Sequence, residues 1–217
     1  MKILKIGSAK FQVRDDSPDR RIVREAYKGN VYGFPEDMSG MTVVDIGAHI
    51  GTVAVLCSQR GAKVYSLEPD PENFEILKRN LDRNDAFSVS PIPMAIGGTE
   101  GFRELQHNPA NTASNVLVGL PNKVAETNGS NQVWVTTIKE LFKEIEVCDY
   151  LKIDCEGAEV EIVDDIIEMK DKIKNMVAEL HTDEAVKLFE DRLSPYYTFE
   201  KIKGPFNHYE YKLSQKK

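Results

Sequence analysis

The feature that most constrains the fold of this chain is the run Val43-Val44-Asp45-Ile46-Gly47-Ala48-His49-Ile50-Gly51. An apolar run typical of a β-strand carries an acid near its end, and Gly47 and Gly51 then bracket a tight turn. Residues 52–59 follow with an apolar face that is compatible with a helix. A strand, a glycine turn and a helix in this order are typical of the first unit of a nucleotide-binding α/β sheet.

The rest of the chain alternates between strand-like and helix-like segments. Predicted strands end at Glu68, Asp154 and His181, and further strands are predicted near residues 89–96 and at residues 132–136. Two β-rich stretches at 197–202 and 207–213 close the chain. This alternation predicts an α/β fold with a mainly parallel sheet, helices on both faces and an antiparallel C-terminal hairpin. Ligands bind such sheets outside the carboxyl ends of the strands, so these polar strand ends are expected to face one site.

Two segments depart from the alternation. Residues 1–40 are predicted to form an N-terminal extension with a helix and a short strand, and residues 41–217 the main domain. Within that domain, residues 97–131 are rich in Asn, Gly, Thr and Pro and carry no long apolar period. A segment of this length without regular structure is usually functional or partly disordered. We interpret it as a hairpin plus a lid near the substrate; the alternative is a surface excursion.

Charge and cysteine content exclude several classes of protein. The formal net charge of −7 disfavours binding to DNA, RNA or an anionic membrane, because such binders usually carry a basic surface. The three cysteines form no C-x-x-C pair, so a zinc site or a disulfide framework is not expected.

No apolar run reaches the length of a signal peptide core or of a membrane span. We therefore expect a cytoplasmic protein, and the sequence leaves a homodimer open.

The glycine turn also restricts which nucleotide it can hold. A dinucleotide fingerprint needs three glycines, but the corresponding positions here are Gly47, His49 and Thr52, and no P-loop pattern is present. S-adenosylmethionine has no phosphate and carries a positive sulfonium, so Asp45 would place favourable negative potential near it. Glu68 is placed to accept hydrogen bonds from both ribose hydroxyls. The alternative for Glu68 is an acid that only caps the next helix.

Three segments resemble the FkbM-type family of S-adenosylmethionine-dependent methyltransferases: VVDIGAHIGTVAVL, VYSLEPDPENFEILKRNLDRN and LKIDCEGAEVEIV. The resemblance implies the Rossmann-like class I methyltransferase fold, with a seven-stranded sheet and one antiparallel strand. It also implies O-methylation of a hydroxyl on a sugar or another small molecule. The chain departs from the family at His49, where Asn is more usual, but the turn keeps a polar side chain.

The resemblance assigns residues to the cofactor and to the reaction. The implied cofactor-binding set is Asp45, Gly47, His49, Gly51, Glu68, Pro69, Asp70, Ala95 and Ile96, with Pro69 and Asp70 beside the adenine and Ala95 and Ile96 in its pocket wall. The acidic block of the family corresponds to Asp154, Glu156, Gly157 and Glu159.

A hydroxyl acceptor must lose a proton, which a carboxylate or histidine general base can accept. Asp154 and Glu156 are the first candidates because the fourth strand ends beside the methyl group in this fold. His181 is a second candidate and His107 a weaker one. The alternative for His181 is a histidine satisfied by the backbone. A divalent metal held by Asp154, Glu156 and His181 is chemically possible but is not expected.

Two other functions stay open at this point. One is methylation of nitrogen or of RNA, which an N-P-P-Y-type block would mark; Asp154-Cys155-Glu156-Gly157 is not such a block. The other is a non-catalytic partner module that binds S-adenosylmethionine without transferring its methyl group.

Overall fold

The computed structural model describes residues 1–108, 111–119, 131–202 and 209–216. The helices are α1 (Asp19–Arg24), α2 (Thr52–Gln59), α3 (Pro71–Arg83), α4 (Ile138–Leu141), α5 (Glu159–Glu168) and α6 (Asp183–Leu193), with a π-helical turn at Glu25–Gly29 and a 3₁₀ turn at Lys170–Lys172. The strands are β1 (Lys2–Ile6), β2 (Ala9–Val13), β3 (Thr42–Ile46), β4 (Lys63–Leu67), β5 (Val89–Ile92), β6 (Ala95–Ile96), β7 (Gly101–Gln106), β8 (Val116–Val118), β9 (Asn131–Thr136), β10 (Tyr150–Ile153), β11 (Asn175–Leu180), β12 (Tyr197–Ile202) and β13 (Tyr209–Gln215).

The main sheet has seven strands in the order β12-β13-β11-β10-β3-β4-β5. Its strands are parallel except β13, which is antiparallel to both β11 and β12. The predicted α/β fold and the antiparallel C-terminal hairpin are therefore confirmed. The register places Lys152 of β10 beside Asp45 of β3. It also places Glu179 of β11 beside Glu210 of β13.

Helices cover both faces of this sheet because alternate strand residues point to opposite sides. Val44 and Ile46 of β3 pack in one buried cluster with residues of α4, α5 and α6. Val43 of the same strand belongs to a second cluster, built with α2 and α3. Among the helices described here, none is both long and apolar enough to cross a membrane.

A second sheet, which the sequence pattern did not predict, has four strands in the order β6-β9-β7-β8. The predicted third strand near residues 89–96 is divided: β5 stays at the edge of the main sheet, whereas Ala95 and Ile96 pair with β9 of the small sheet. Strands β7 and β8 form the hairpin expected within residues 97–131. Residues 109–110 and 120–130 of the predicted lid lie outside the described residues.

The first forty residues share the core of the main domain. Strands β1 and β2 form an antiparallel hairpin, of which only β2 was expected from the sequence. Ala9, Phe11 and Val13 of β2 and Val23 of α1 are fully buried in the same cluster as α2 and α3. Asn80 of α3 donates to the backbone oxygen of Ile50, and its side-chain oxygen accepts from the backbone N–H of Gln12 at 2.6 Å. The extension is thereby tied to the segment that follows Gly47.

Candidate active site

A cavity lies beyond the carboxyl ends of β3, β4, β10 and β11. One part of its wall comes from the glycine turn and its neighbours: Ile46, Gly47, Ala48, His49, Thr52, Glu68, Pro69, Asn73, Met94, Ala95 and Ile96. Another part comes from Lys152, Asp154, Glu156, Glu179 and Glu210, and the extension adds Pro18, Arg21, Ile22, Glu25, Val31 and Tyr32. Residues 111–115 of the small-sheet segment also contribute. This is the position that the parallel sheet predicts for a ligand.

Gly47, which follows β3, lines the cavity and lies against the backbone of Asp154, which follows β10. Its backbone has a φ of +75°, and a Cβ added there would lie 1.8 Å from the backbone oxygen of Asp154. No side chain can occupy that space without moving one strand end. Glycine is therefore required here for two independent reasons, conformation and contact.

Glu68 is 5 % exposed at the end of β4, between the glycine turn and α3. Its Oε2 accepts from the backbone N–H of His49 at 2.7 Å, and its Oε1 accepts from the backbone N–H of Asp70 at 2.9 Å. Burial raises the pKa of Glu68 to about 8. The cap of α3 is Asp70, whose Oδ1 accepts from Asn73 N–H, so the alternative that Glu68 itself caps this helix is not observed.

Three buried polar atoms that line this part of the cavity have no hydrogen-bond partner among the described residues. They are Nδ1 of His49, Oγ1 of Thr52 and Oδ1 of Asn73. Buried polar groups are normally satisfied, so these atoms are available to a ligand. Burial lowers the pKa of His49 to about 4, so its ring is neutral.

The Nε2 atom of His49 is held by the extension. Arg14 Nη2 lies 2.9 Å from His49 Nε2, and the same guanidinium donates to both carboxylate oxygens of the fully buried Asp19, at 3.0 and 3.1 Å. Because Arg14 can only donate, His49 Nε2 accepts and the proton of the neutral ring is on Nδ1. Arg14 and Asp19 therefore orient a side chain of the glycine turn.

Removing the Arg14 guanidinium should destabilise the fold. Arg14→Met leaves the carboxylate of Asp19 buried without its counter-charge, which typically costs about 3 kcal/mol or more. Thermal or urea unfolding of the variant would measure this loss. The exposed pair Lys187–Asp191 provides the control: Lys187→Met should leave the midpoint essentially unchanged. Equal effects of the two substitutions would contradict a structural role for Arg14.

Lys152 is a buried cation between the ends of β3 and β10. Its Nζ donates to the backbone oxygens of Ile46 and Gly47 at 3.0 and 2.7 Å, and lies 3.5 Å from Asp45 and 3.3 Å from Asp154. Burial alone would lower the pKa of Lys152, but the charges of Asp154 and Asp45 raise it, so the lysine stays protonated. Lys152 offsets the charge of Asp45 and links the glycine turn to the loop of residues 154–157, the acidic loop.

Residues 154–157 form a tight loop between β10 and α5. Glu156 and Gly157 have φ values of +51° and +103°. The Glu159 carboxylate accepts from the backbone N–H groups of Cys155 and Gly157 at 3.3 and 2.9 Å, and its Oε1 lies 2.8 Å from His181 Nδ1. Glu159 therefore fixes both the loop and the imidazole.

His181 is surrounded by carboxylates. Its Nε2 lies 3.4 Å from Glu156 Oε2 and 3.7 Å from Asp154 Oδ1. Although burial opposes protonation, the hydrogen bond to Glu159 and the charge of Glu156 raise the pKa of His181 to about 9. A protonated imidazole has no lone pair to accept a proton, so Asp154 and Glu156 are the better candidates for the general base. Burial raises the pKa of Glu156 towards the range in which a carboxylate accepts protons well.

Comparison with known proteins assigns the family. The methyltransferase FkbM domain matches residues 45–202, which is most of the chain. The chain belongs to the FkbM methyltransferase family. Hexuronic acid methyltransferase AglP of Haloferax volcanii is 30% identical over 63% of this chain, but the match spans only 54% of AglP. Methyltransferase sdnD of Sordaria araneosa is 26% identical, with 73% of each chain covered.

Solved structures support the same fold for this member of the FkbM family. Precorrin-6Y C5,15-methyltransferase of Geobacter metallireducens matches with a TM-score of 0.54 and 15% identity, over 88% of both chains. The N-terminal domain of human METTL16, in a complex with SAH, matches with a TM-score of 0.52 and 13% identity, over 92% of this chain and 69% of that one.

The structure brings most of the predicted site residues of this FkbM-family chain to one cavity. Gly47, His49, Glu68, Pro69, Ala95, Ile96, Asp154 and Glu156 line it. Asp45, Gly51, Asp70 and His181 are not lining residues. Asp45 faces Lys152, a Cβ on Gly51 would contact Leu77, and Asp70 caps α3. That any of them binds cofactor or substrate directly stays a prediction.

Two histidines have partners that the sequence did not indicate. The weaker base candidate, His107, has its Nδ1 3.0 Å from Asp70 at the start of α3 and does not line the cavity. His181 contacts side-chain carboxylates, so the alternative of a histidine satisfied only by the backbone is not observed.

Proposed function

We propose that this FkbM-family chain is an S-adenosylmethionine-dependent O-methyltransferase that acts on a hydroxyl of a small molecule, with sugars as the leading class. The observation that carries the proposal is one continuous cavity bounded by Glu68 and by Asp154 and Glu156. These residues follow β4 and β10, which flank β3 in the sheet. A nucleoside placed over Gly47 would extend from Glu68 towards Asp154 and Glu156.

The residues present suit S-adenosylmethionine. The carboxylate of Glu68 uses one oxygen for each of two backbone N–H groups and keeps further lone pairs for two ribose hydroxyls. Nδ1 of His49, Oγ1 of Thr52 and Oδ1 of Asn73 offer one donor and two acceptors that have no partner among the described residues. When bound, this cofactor supplies a methyl group activated by the positive sulfonium.

The chain's own contribution to the reaction is alignment and proton removal. Fixing the acceptor in line with the methyl group removes much of the entropic barrier. Asp154 Oδ2 is 3.3 Å from Lys152, and the carboxylate is about one-quarter exposed at the cavity wall. This partly exposed carboxylate can accept the hydroxyl proton, and Glu156 is the alternative. Protonated His181 holds the neighbouring carboxylates in position.

The known relatives support the reaction class. AglP is described as a hexuronic acid methyltransferase, which acts on a sugar acid, and sdnD as a methyltransferase. The METTL16 structure contains SAH, the demethylated product of the proposed cofactor. For this chain, the cofactor and the acceptor are inferred from the site together with these similarities.

Two measurements test the proposal. Calorimetry with S-adenosylmethionine and S-adenosylhomocysteine should show binding of both. Incubation with S-adenosylmethionine and metabolite extracts should increase the mass of an acceptor by one methylene. Binding without transfer to any acceptor would instead indicate a non-catalytic module, and no binding of either compound would reject the proposed cofactor.

Asp154→Asn should reduce turnover by about a hundredfold, because the amide cannot accept the hydroxyl proton. Its affinity for S-adenosylmethionine should be unchanged. Labelled methyl transfer and calorimetry measure the two effects separately. Asp149→Asn is the matched control, because Asp149 precedes the amino end of the same strand, where it binds Lys174 and Thr42 N–H. Full activity of Asp154→Asn would assign the role of general base to Glu156.

A further inference from the structure

The acceptor part of the cavity contains more acids than its cations offset. Glu25, Asp154, Glu156, Glu179 and Glu210 line it, together with the cations Lys152 and Arg21. Lys152 is already engaged by Asp45 and Asp154, at 3.5 and 3.3 Å. His181 faces Glu156 and Glu159, and its Nε2 also lies 3.8 Å from Glu179 Oε1. An excess of negative charge therefore remains near β11 and β13.

Two of these carboxylates, those of Glu179 and Glu210, lie side by side in the sheet. They are direct register neighbours on the antiparallel strands β11 and β13, and both line the cavity. Like charges placed directly opposite on neighbouring strands destabilise a sheet. Protonated His181 offsets part of the charge of Glu179. A further positive group beside Glu210 would offset the rest and make the arrangement favourable.

Glu210 provides an independent indication of a ligand. The residue is 5 % exposed, and its buried Oε2 has no hydrogen-bond partner within the described part of the chain. Burial, together with the charges of Glu179, Asp154 and Glu25, raises the pKa of Glu210 to about 7. A buried carboxylate oxygen without a donor is costly, and a donor supplied by the ligand would remove that cost.

We propose that the acceptor carries a protonated amine, which binds between Glu179 and Glu210 while the neighbouring hydroxyl faces Asp154 and Glu156. The substrate class is thus an amino sugar or a related amino alcohol. The inference rests on the proposed O-methyl transfer. It separates this chain from AglP, whose hexuronic acid substrate would bring a carboxylate against this acidic wall.

The test compares three sugars of similar size and different charge: D-glucosamine, D-glucose and D-glucuronate. Binding to the full chain is measured by saturation-transfer NMR, near neutral pH and with EDTA present. D-glucosamine should bind about tenfold more tightly than D-glucose, as expected for a charge-assisted hydrogen bond. D-glucuronate should not bind detectably.

Variants assign this preference to the proposed pair. Glu210→Gln should reduce the ratio of D-glucosamine to D-glucose affinity to near one. Glu200→Gln is the matched control, because it removes an exposed carboxylate from the adjacent strand β12, and it should retain the preference. Equal loss in both variants would contradict a specific role for Glu210.

Other results would overturn the inference. These are absence of D-glucosamine binding, equal binding of D-glucose, or binding of D-glucuronate. Binding of D-glucuronate only after addition of Mg²⁺ would also overturn it, and would show that Asp154, Glu156 and His181, whose ligand atoms lie within 4.8 Å of one another, hold a metal.

Parallel assays with labelled S-adenosylmethionine keep the two proposals separate. Amine preference without methyl transfer rejects the reaction, whereas methyl transfer without amine preference rejects only the acceptor class.

Discussion

Gly47→Ala is expected to abolish cofactor binding and to destabilise the protein by about 3 kcal/mol. Part of this cost arises because the backbone φ of +75° disfavours any residue with a Cβ. The rest arises because the new methyl group would overlap the backbone oxygen of Asp154, so the ends of β3 and β10 must separate. That movement would also break the hydrogen bond from Lys152 to the Gly47 oxygen.

Gly40→Ala separates these two contributions. Gly40 has the same φ of +75°, but a Cβ there would have no atom within 4 Å. The control should therefore lose only about 1 kcal/mol of stability and bind S-adenosylmethionine normally. Urea unfolding and calorimetry measure both quantities. If the two variants have the same stability and the same affinity for S-adenosylmethionine, the contact between the glycine turn and the acidic loop contributes to neither.

Glu68→Ala is expected to weaken binding of S-adenosylmethionine by about tenfold to a hundredfold. The substitution removes the proposed acceptor of two ribose hydroxyls, and each of these hydrogen bonds is worth about 1.5 to 3 kcal/mol at best when Glu68 is ionised. It also leaves the backbone N–H groups of His49 and Asp70 without their carboxylate partner. Calorimetry with S-adenosylmethionine measures the loss, and methionine, which has no ribose, should show no comparable change.

A general loss of stability must be distinguished from a loss of ribose binding. Thr182→Ala removes the side-chain cap of α6, where Thr182 Oγ1 accepts from Ala185 N–H at 3.0 Å. A lost cap costs about 1 kcal/mol. This variant should unfold earlier and bind the cofactor with unchanged affinity. Unaltered affinity in Glu68→Ala as well would mean that Glu68 only organises the backbone around it.

The central strands and the positions of their acidic ends were predictable because the signals are local. β3, β4, β10 and β11 are short apolar runs that carry or precede a polar residue at their end and are followed by a helix. The structure has each of them within a residue or two of the expected bounds. Helices α3 and α6 carry their start signals in the adjoining sequence: Asp70 with Pro71, and Thr182.

The small sheet was not predicted because its strands are short and pair over long distances. β6 has only two residues and follows Pro93, and it gains its partner from β9, about forty residues later. Sequence periodicity cannot indicate such a pairing. The local signals indicated a hairpin within residues 97–131 and a strand at residues 132–136, which is β9, but not the pairing of these strands.

The missed site residues also depend on contacts between distant parts of the chain. Lys152 was not predicted as a site residue. Its position between Leu151 and Ile153 in a buried strand is a signal that could have indicated a buried ion pair. Arg14 reaches His49 across 35 positions. Glu210 becomes a cavity residue only because β13 inserts between β11 and β12.

The placement of the acceptor wall has a consequence for how such enzymes diversify. Pro18, Glu25 and Tyr32 precede the family-matched residues 45–202, and Glu210 follows them. Part of the proposed acceptor-binding wall thus lies outside the family-matched residues, whereas Asp154, Glu156 and Glu179 lie within them. We expect chimeras that exchange residues 1–40 between related proteins to change the acceptor, provided that Arg14 and Asp19, which orient His49, are retained.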